Sequence, residues 1–130
     1  MTLTDSIRHI IDNMDRFRPD LEAAMEHNGG THTFDDLTAM VLQGRLRLWA
    51  TDKSIALTEI IEYPRQKHYH VFAAGGDLED IVATIPQVEQ AARDAGCCTL
   101  TISGRRGWVR ALAQHGWIEQ FTTCVRSVEP

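Results

Sequence analysis

The chain has 130 residues, of which 43% are hydrophobic and 24% are charged, as in one ordinary soluble domain. No apolar run approaches the roughly 18 residues of a transmembrane helix, and the N-terminus lacks the basic and apolar regions of a secretion signal. Three cysteines, two of them adjacent, do not make a disulfide framework, so we expect a cytoplasmic protein. The net charge of −5 argues against general nucleic-acid binding.

Residues 1–27 have the pattern of helices. Apolar side chains recur at helical spacing, Thr4 or Asp5 can cap the start, and Pro19 interrupts the pattern. A second short helix is predicted over residues 20–26, ended by the Asn-Gly-Gly that follows.

A third helix is predicted from Thr33 onwards. Thr33 stands three residues before Asp36, which is a capping-box arrangement, and apolar residues then recur at helical spacing. Gly44 is expected to end this helix.

Three strand-like runs follow, over residues 45–50, 54–63 and 68–73. They alternate in polarity or are rich in β-branched residues, and turn-forming residues connect them. We therefore predict an antiparallel meander. Its third strand would place Tyr69, Val71 and Ala73 on one face, and the opposite set on the other face: His68, His70 and Phe72.

After the meander, helices and strands alternate. Gly75-Gly76 precedes a helix over residues 77–95, which Pro86 should kink or divide. A buried strand over 97–103, a short helix over 107–115 and a last strand or pair of strands over 118–128 complete the prediction. A helical crossover between the third and fourth strands requires those strands to be parallel, so the fold class is α/β.

This order of elements resembles the GNAT superfamily of N-acetyltransferases over residues 33–128. The segment from Ala111 to Trp117 is similar to the family's late helix, which ends in glycine and an aromatic residue. The resemblance implies one domain over residues 1–130, with an acetyltransferase-like core at 31–130 and a helical N-terminal extension at 1–30. The sequence also resembles small GNAT-like proteins of tailed phages and prophages.

The family holds the pyrophosphate of acetyl-CoA on a glycine-rich loop before the crossover helix, where backbone N–H groups converge. The resemblance therefore implies Ala74, Gly75 and Gly76 as cofactor-binding residues. The spacing of this loop departs from the family pattern, and its basic residue is missing. Carboxylates also occupy the helix start, where they stabilise the helix and repel an anion: Asp77, Glu79 and Asp80. We therefore favour a capped helix without a ligand.

The family's usual general acid is also missing. Many members carry a tyrosine four residues before the glycine of the late helix, where it protonates the leaving thiolate. Counting back from Gly116, that position is Leu112, whose side chain cannot transfer a proton.

Other residues could still serve catalysis. His70 and His68 share a strand face, and a histidine has a pKa near neutrality, so either could deprotonate an amine. Glu59 or Glu62 on the preceding strand could supply a carboxylate. The alternative is that the histidines form part of a strand surface with no chemical role.

The segment from Arg105 to Arg110 is unusual because glycines bracket two arginines at a strand-to-helix junction. Arg105 and Arg106 could bind phosphate, and Trp108 with Arg110 could contact a protein partner. Solvated arginines beside an aromatic anchor are the alternative interpretation. Metal binding is not predicted, because the histidines and cysteines lack ligand spacing.

Two functional hypotheses follow from these patterns. The favoured one is a GNAT-fold protein with a degenerate acetyl-CoA site, acting as a non-catalytic binding or structural component with a protein partner or by self-association. A phage origin would place it in the host cytoplasm or the virion. The alternative is an active N-acetyltransferase that transfers acetyl from acetyl-CoA to a primary amine, with His70 or Glu62 as base.

Overall fold

The structure is a computed structural model that describes residues 2–128. Within that range none of the helices is both long and apolar enough to cross a membrane. The elements, in chain order, are α1 (Leu3–Arg16), α2 (Arg18–Met25), α3 (Phe34–Leu42), β1 (Arg47–Ala50), β2 (Ser54–Glu62), β3 (Lys67–Gly76), α4 (Leu78–Asp94), β4 (Thr99–Ile102) and α5 (Gly107–Ala113).

Reciprocal capping boxes start α1 and α3. The box predicted at Thr33 and Asp36 is confirmed: the Thr33 amide donates to the Asp36 carboxylate at 2.8 Å, and the Asp36 amide donates back to the Thr33 hydroxyl. For α1 the predicted cap at Thr4 or Asp5 was wrong. Thr2 is the N-cap, because it stands three residues before Asp5 and forms the same box with it.

The strands form one sheet in the order β1-β2-β3-β4. β1, β2 and β3 are the predicted antiparallel meander, and β4 runs parallel to β3 after the crossover through α4. α4 is one helix, so of the two outcomes predicted at Pro86, a kink or a division, the division did not occur. Pro86 lies on the exposed side of α4, while Val88 and Ala92 are buried and hold the helix against the sheet.

A β-bulge interrupts the pairing of β2 with β3. Thr58 pairs with Val71, whereas its neighbour Leu57 pairs with Ala73, so Phe72 is an additional residue in β3. Such a residue shifts the alternation of side chains beyond it. Ala73 therefore packs with Phe72 in the core beneath α1 to α3, and its predicted position on the opposite face was wrong.

Helices cover both faces of the sheet. The α1–α3 face holds the larger apolar cluster, including Met14, Leu21, Leu37, Leu46, Ile55 and Leu57. The opposite face packs against α4 and α5 through two smaller clusters, which include Tyr69, Val88, Cys97, Ala74, Trp108 and Leu112. This layering leaves the point where β3 and β4 separate between α2 on one side and α5 on the other.

Some predicted boundaries and one predicted strand were wrong. β4 starts at Thr99, so Cys97 and Cys98 precede the strand; Cys97 is buried and Cys98 is exposed. Residues 118–128 form no strand and are exposed along their length. Their alternating pattern suits a half-buried strand, but no neighbouring strand pairs with them within residues 2–128.

Candidate functional site

A cleft opens where β3 and β4 diverge, and we call it the β3–β4 cleft. The pairing of the two strands ends at Val71 and Ile102. β3 continues to Gly76, whereas the chain after β4 turns away at residues 103–106 and enters α5. The walls come from residues 72–76 of β3, from one side of α2 and from Arg105 and Trp108. The cleft encloses about 100 Å³, whereas pockets for drug-sized ligands and cofactors hold roughly 300–1,000 Å³.

The cleft contains most of the residues predicted to bind the cofactor. Ala74, Gly75, Gly76 and Arg105 all line it, whereas Arg106 is not among the lining residues. Four of the five residues predicted to bind the cofactor therefore line one cleft, and their role stays a prediction.

Trp108, predicted to contact a partner, is a buried side chain that packs with Ala74 and Leu112. The guanidinium of Arg105 lies 5.4 Å from the centre of its ring. Arg110 is exposed on α5. Trp108 thus anchors α5 to the sheet, as expected if the segment consists of solvated arginines beside an aromatic anchor. It does not form a surface patch with Arg110.

Both glycines of the predicted phosphate loop belong to β3 and are required by packing within the chain. A Cβ atom placed on Gly75 would lie 2.6 Å from the Cβ of Asp20 on α2. Gly76 has a φ of +106°, and a Cβ there would lie 2.3 Å from the carbonyl oxygen of Lys53. Side chains larger than hydrogen are therefore excluded at both positions without any ligand.

The start of α4 carries negative charge that already has partners. The Asp77 side chain caps the helix by accepting from the Glu79 amide at 3.1 Å. The Asp80 carboxylate accepts from the Ser54 hydroxyl at 2.5 Å and from the Thr51 hydroxyl, and these bonds hold the pKa of Asp80 below its usual value. A phosphate placed at this helix end would meet these carboxylates rather than free amides.

Leu112, where the resemblance implies that the usual acid is missing, is a core residue. It is 3% exposed and packs with Trp108 and Ala74 between α5 and the sheet. The position therefore serves packing in this chain, and its side chain offers no proton to the cleft.

A second group of polar residues lies on the face of the sheet that bears the first core. Glu59 of β2 and His70 of β3 are directly opposite each other, so their side chains share that face. Nδ1 of His70 lies 2.8 Å from the Thr101 hydroxyl oxygen on β4. Burial lowers the pKa of His70, with a smaller contribution from His68. Burial raises the pKa of Glu59.

His70 could act as a base near neutral pH. A half-buried histidine with a lowered pKa is largely neutral at pH 7 and can accept a proton. The charges that act on Glu59 come from His32 and Arg45, and the charge that acts on His70 comes from His68.

Thr101 was not identified from the sequence. Thr101 is the partner of His70 in the parallel pairing of β3 with β4. The sequence predicts that the two strands are parallel, but it does not give the register that brings these two residues together.

Of the other predicted catalytic residues, His68 lies two residues from His70 on the same strand and Glu62 lies on the other face of the sheet. His68 is buried, with its ring centre 4.8 Å from that of Tyr63. Glu62 is three residues from Glu59 and so lies on the opposite face of β2, where its carboxylate is 3.6 Å from Nζ of Lys67. The strand register therefore places Glu59, and not Glu62, opposite His70. No cluster of metal-ligating side chains is found among residues 2–128.

No family model matches the chain, and no curated protein matches it either. Solved structures do match. A probable acetyltransferase is 12% identical, with a TM-score of 0.59 over 92% of this chain and 94% of that one. A possible acetyltransferase from Clostridium difficile 630 is also 12% identical, with a TM-score of 0.60 over 92% and 93%.

A third match is an aminoglycoside acetyltransferase from an uncultured soil metagenomic sample, crystallised in complex with sisomicin. It is 10% identical, with a TM-score of 0.58 over 91% of each chain. Identities this low establish a common fold and nothing about substrate. With its antiparallel meander, its helical crossover and its parallel fourth strand, the chain has the mixed α/β fold of the GNAT-type acetyltransferases.

Proposed function

We propose that this chain is a GNAT-fold protein whose acetyl-CoA site is degenerate, and that it acts as a non-catalytic binding or structural component. The observation that carries the proposal is the contact between Asp20 and Gly75. The contact places a carboxylate-bearing residue of α2 against Gly75, which the resemblance implies as a cofactor-binding residue.

Opening this site would be costly. α2 must leave β3 to make room, and that movement would expose Leu21 and Met25, which are buried beneath it. Exposing a large aliphatic side chain costs about 1.5–3 kcal/mol. A phosphate arriving there would also meet the carboxylates of Asp77 and Asp80 at the start of α4. Both effects oppose binding of an anionic cofactor.

Isothermal titration of the purified chain with acetyl-CoA and with CoA tests the proposal. We expect no heat of binding at millimolar ligand. Binding with a micromolar dissociation constant, about −8 kcal/mol, would contradict it. Arg105→Ala is the informative variant in that event, because Arg105 is the cation that lines the β3–β4 cleft.

One observation favours the alternative function, an N-acetyltransferase acting on a primary amine. It is the pairing of Glu59 with His70, whose neutral ring could take the proton of the attacking amine. This hypothesis predicts acetyl transfer that His70→Ala abolishes and that Glu59→Gln weakens. Glu62→Gln is the matched control, since Glu62 lies on the other face of β2. Absence of transfer to a panel of amines would contradict this alternative.

The partner of a non-catalytic component would be another protein or a second copy of the chain. Support comes from apolar side chains that lie exposed near the C-terminus, with Ile118, Phe121 and Val125 each at least 75% exposed. The resemblance to GNAT-like proteins of tailed phages extends the proposal to a phage particle or an infected host cell. Detection of the chain in purified virions by mass spectrometry would test that extension.

A further inference from the structure

The turn between α2 and α3 contains the chain's one asparagine–glycine pair, Asn28-Gly29. The sequence has two asparagines, and the other, Asn13, is followed by methionine inside α1. Asn28 lies three residues beyond the end of α2 and lines the β3–β4 cleft. A chemical change at Asn28 would therefore alter the wall of that cleft.

The reactive atoms of this pair have few hydrogen bonds. The side-chain amide of Asn28 donates to the sulfur of Met25 at 3.7 Å, and a thioether sulfur is a weak acceptor. The backbone amide of Gly29 has no hydrogen-bond acceptor among residues 2–128. A Cβ atom at Gly29 or at Gly30 would have no other atom within 4 Å, so the turn has open space around it. The Gly29 nitrogen is therefore not held by a partner, and water can reach the turn.

Asn13 is held firmly by comparison. Its side-chain amide donates to the His9 carbonyl at 2.9 Å, and its side-chain oxygen accepts from the Arg16 guanidinium at 2.6 Å. The next residue, Met14, is fully buried inside α1, where a backbone amide is bonded to the carbonyl four residues before it. Asn13 thus serves as an internal control for Asn28.

We propose that Asn28 is a site of spontaneous deamidation, which converts its side-chain amide to a carboxylate in the wall of the β3–β4 cleft. The Gly29 nitrogen attacks Cγ of Asn28, so that an N–C bond forms and the Cγ–Nδ2 bond breaks. The proton of the Gly29 amide leaves with Nδ2 as ammonia, and a cyclic succinimide remains. Water then opens this ring at one of its two carbonyl carbons and gives aspartate or isoaspartate. Glycine favours the attack because it has no Cβ to hinder ring closure.

The product changes the charge of the cleft. Among the described residues, the lining contains one carboxylate, from Asp20, and one guanidinium, from Arg105. Deamidation adds a second carboxylate at position 28 and makes the net charge of −5 more negative by one unit. Since like charges repel, the deamidated cleft would be less suited to an anion than the cleft of the unmodified chain. The inference goes beyond the proposed function, because the reaction requires only the turn and water.

Peptide mass spectrometry of the purified full chain, sampled during incubation at physiological temperature and neutral pH, tests the proposal. Trypsin cleaves after Arg16 and so places Asn13 and Asn28 on separate peptides. We expect the Asn28 peptide to gain about one mass unit and to contain isoaspartate, while the Asn13 peptide stays unchanged. Ion-exchange chromatography of the intact chain should resolve a more acidic species that accumulates at the same rate.

Matched variants identify the attacking nitrogen. Gly29→Ala adds a Cβ to the attacking residue and should slow the conversion at least several-fold, whereas Gly30→Ala should leave the rate nearly unchanged. The two glycines have φ values of +70° and +76°, so alanine meets the same backbone strain at either position. Circular dichroism should therefore show equal helix content for both variants. Asn28→Gln should abolish the mass gain, because glutamine must close a larger ring, and Asn13→Gln should retain it.

Four results would overturn the proposal: no conversion of Asn28 in the folded chain, conversion of Asn13 as fast as that of Asn28, equal slowing by Gly29→Ala and Gly30→Ala, or conversion only in the urea-unfolded chain. The last result would show that the folded turn prevents the attack. The cofactor titration is separate. A chain that deamidates and also binds acetyl-CoA contradicts the proposed function alone, and a chain that does neither contradicts the deamidation alone.

Discussion

Asp20 on α2 and Gly75 on β3 are in such close contact that the Cβ of Asp20 occupies the space a Cβ on Gly75 would need, at 2.6 Å. The contact holds α2 directly on β3, where Leu21 is fully buried in the main core. It also covers the strand segment that lines the β3–β4 cleft. One contact therefore serves the stability of this domain and narrows the β3–β4 cleft.

Gly75→Ala should reduce the free energy of unfolding by about 1–3 kcal/mol, the usual cost of forcing an additional carbon into a packed site. Urea unfolding followed by circular dichroism measures it. Gly107→Ala is the control, because a Cβ at Gly107 would meet nothing closer than 4.0 Å, and we expect little change or a slight gain in stability.

The contact with Asp20 should account for most of that loss. In an Asp20→Gly background the obstructing Cβ is absent, so Gly75→Ala should cost less than it does in the wild type. Equal losses in the two backgrounds would mean that α2 does not press on Gly75 in solution, and the argument for a closed cleft would then fail.

The sequence predicted the fold well where the signal is local. The Thr33 capping box, the three meander strands and the crossover to a parallel fourth strand depend on patterns within about 20 residues. Thr2 was missed as a cap, although it forms the same box with Asp5, because Thr4 and Asp5 are also capping residue types.

The candidate site was less predictable because it depends on contacts between distant segments. The additional residue at Phe72 is visible only in the pairing of β2 with β3, and it changes the face of Ala73. The closure of the cleft by Asp20 joins positions 55 residues apart in the sequence. Residues 118–128 have the sequence pattern of a strand, but they pair with no other strand among residues 2–128. The local pattern was therefore not sufficient to predict a strand there.

Leu112 is a core residue of α5, and mutation can measure how much its packing contributes to stability. Leu112→Ala should cost about 2–4 kcal/mol, because it leaves a cavity beside Trp108 and Ala74. Val109→Ala on the same helix is the control and should cost about 0.5 kcal/mol or less, since Val109 is largely exposed. Thermal or urea unfolding distinguishes the two. A similar small cost for both would show that α5 is not packed on the sheet.

His70 should make stability depend on pH in a defined direction. Burial lowers its pKa in the folded state below the 6.5 of an unfolded chain, so the unfolded state binds the proton more tightly. The stability that this group contributes is therefore complete above pH 6.5 and is lost as the pH falls towards the folded pKa. We expect the free energy of unfolding to decrease over this range in the wild type.

The matched comparison is His70→Gln against His115→Gln, because His115 is exposed on the chain after α5. His70→Gln should remove the decrease, whereas His115→Gln should retain it. An NMR titration of the His70 ring gives a direct check. A ring that titrates above 6.5 would contradict both the pH dependence and the neutral base on which the alternative function depends.

Asp80 should stabilise the fold in the acid range. Its bonds from the Ser54 and Thr51 hydroxyls lower its pKa in the folded state below 3.8, so its contribution is present above that value and is lost as the pH falls through the folded pKa. Asp80→Asn should therefore lower the melting temperature at neutral pH and show a smaller further loss on acidification. Glu79→Gln removes one charge from the same helical turn while leaving both hydroxyl bonds in place, so it should retain the acid dependence of the wild type. If the two variants responded alike, the turn would contribute only general negative charge, and Asp80 would be free to give way to a phosphate.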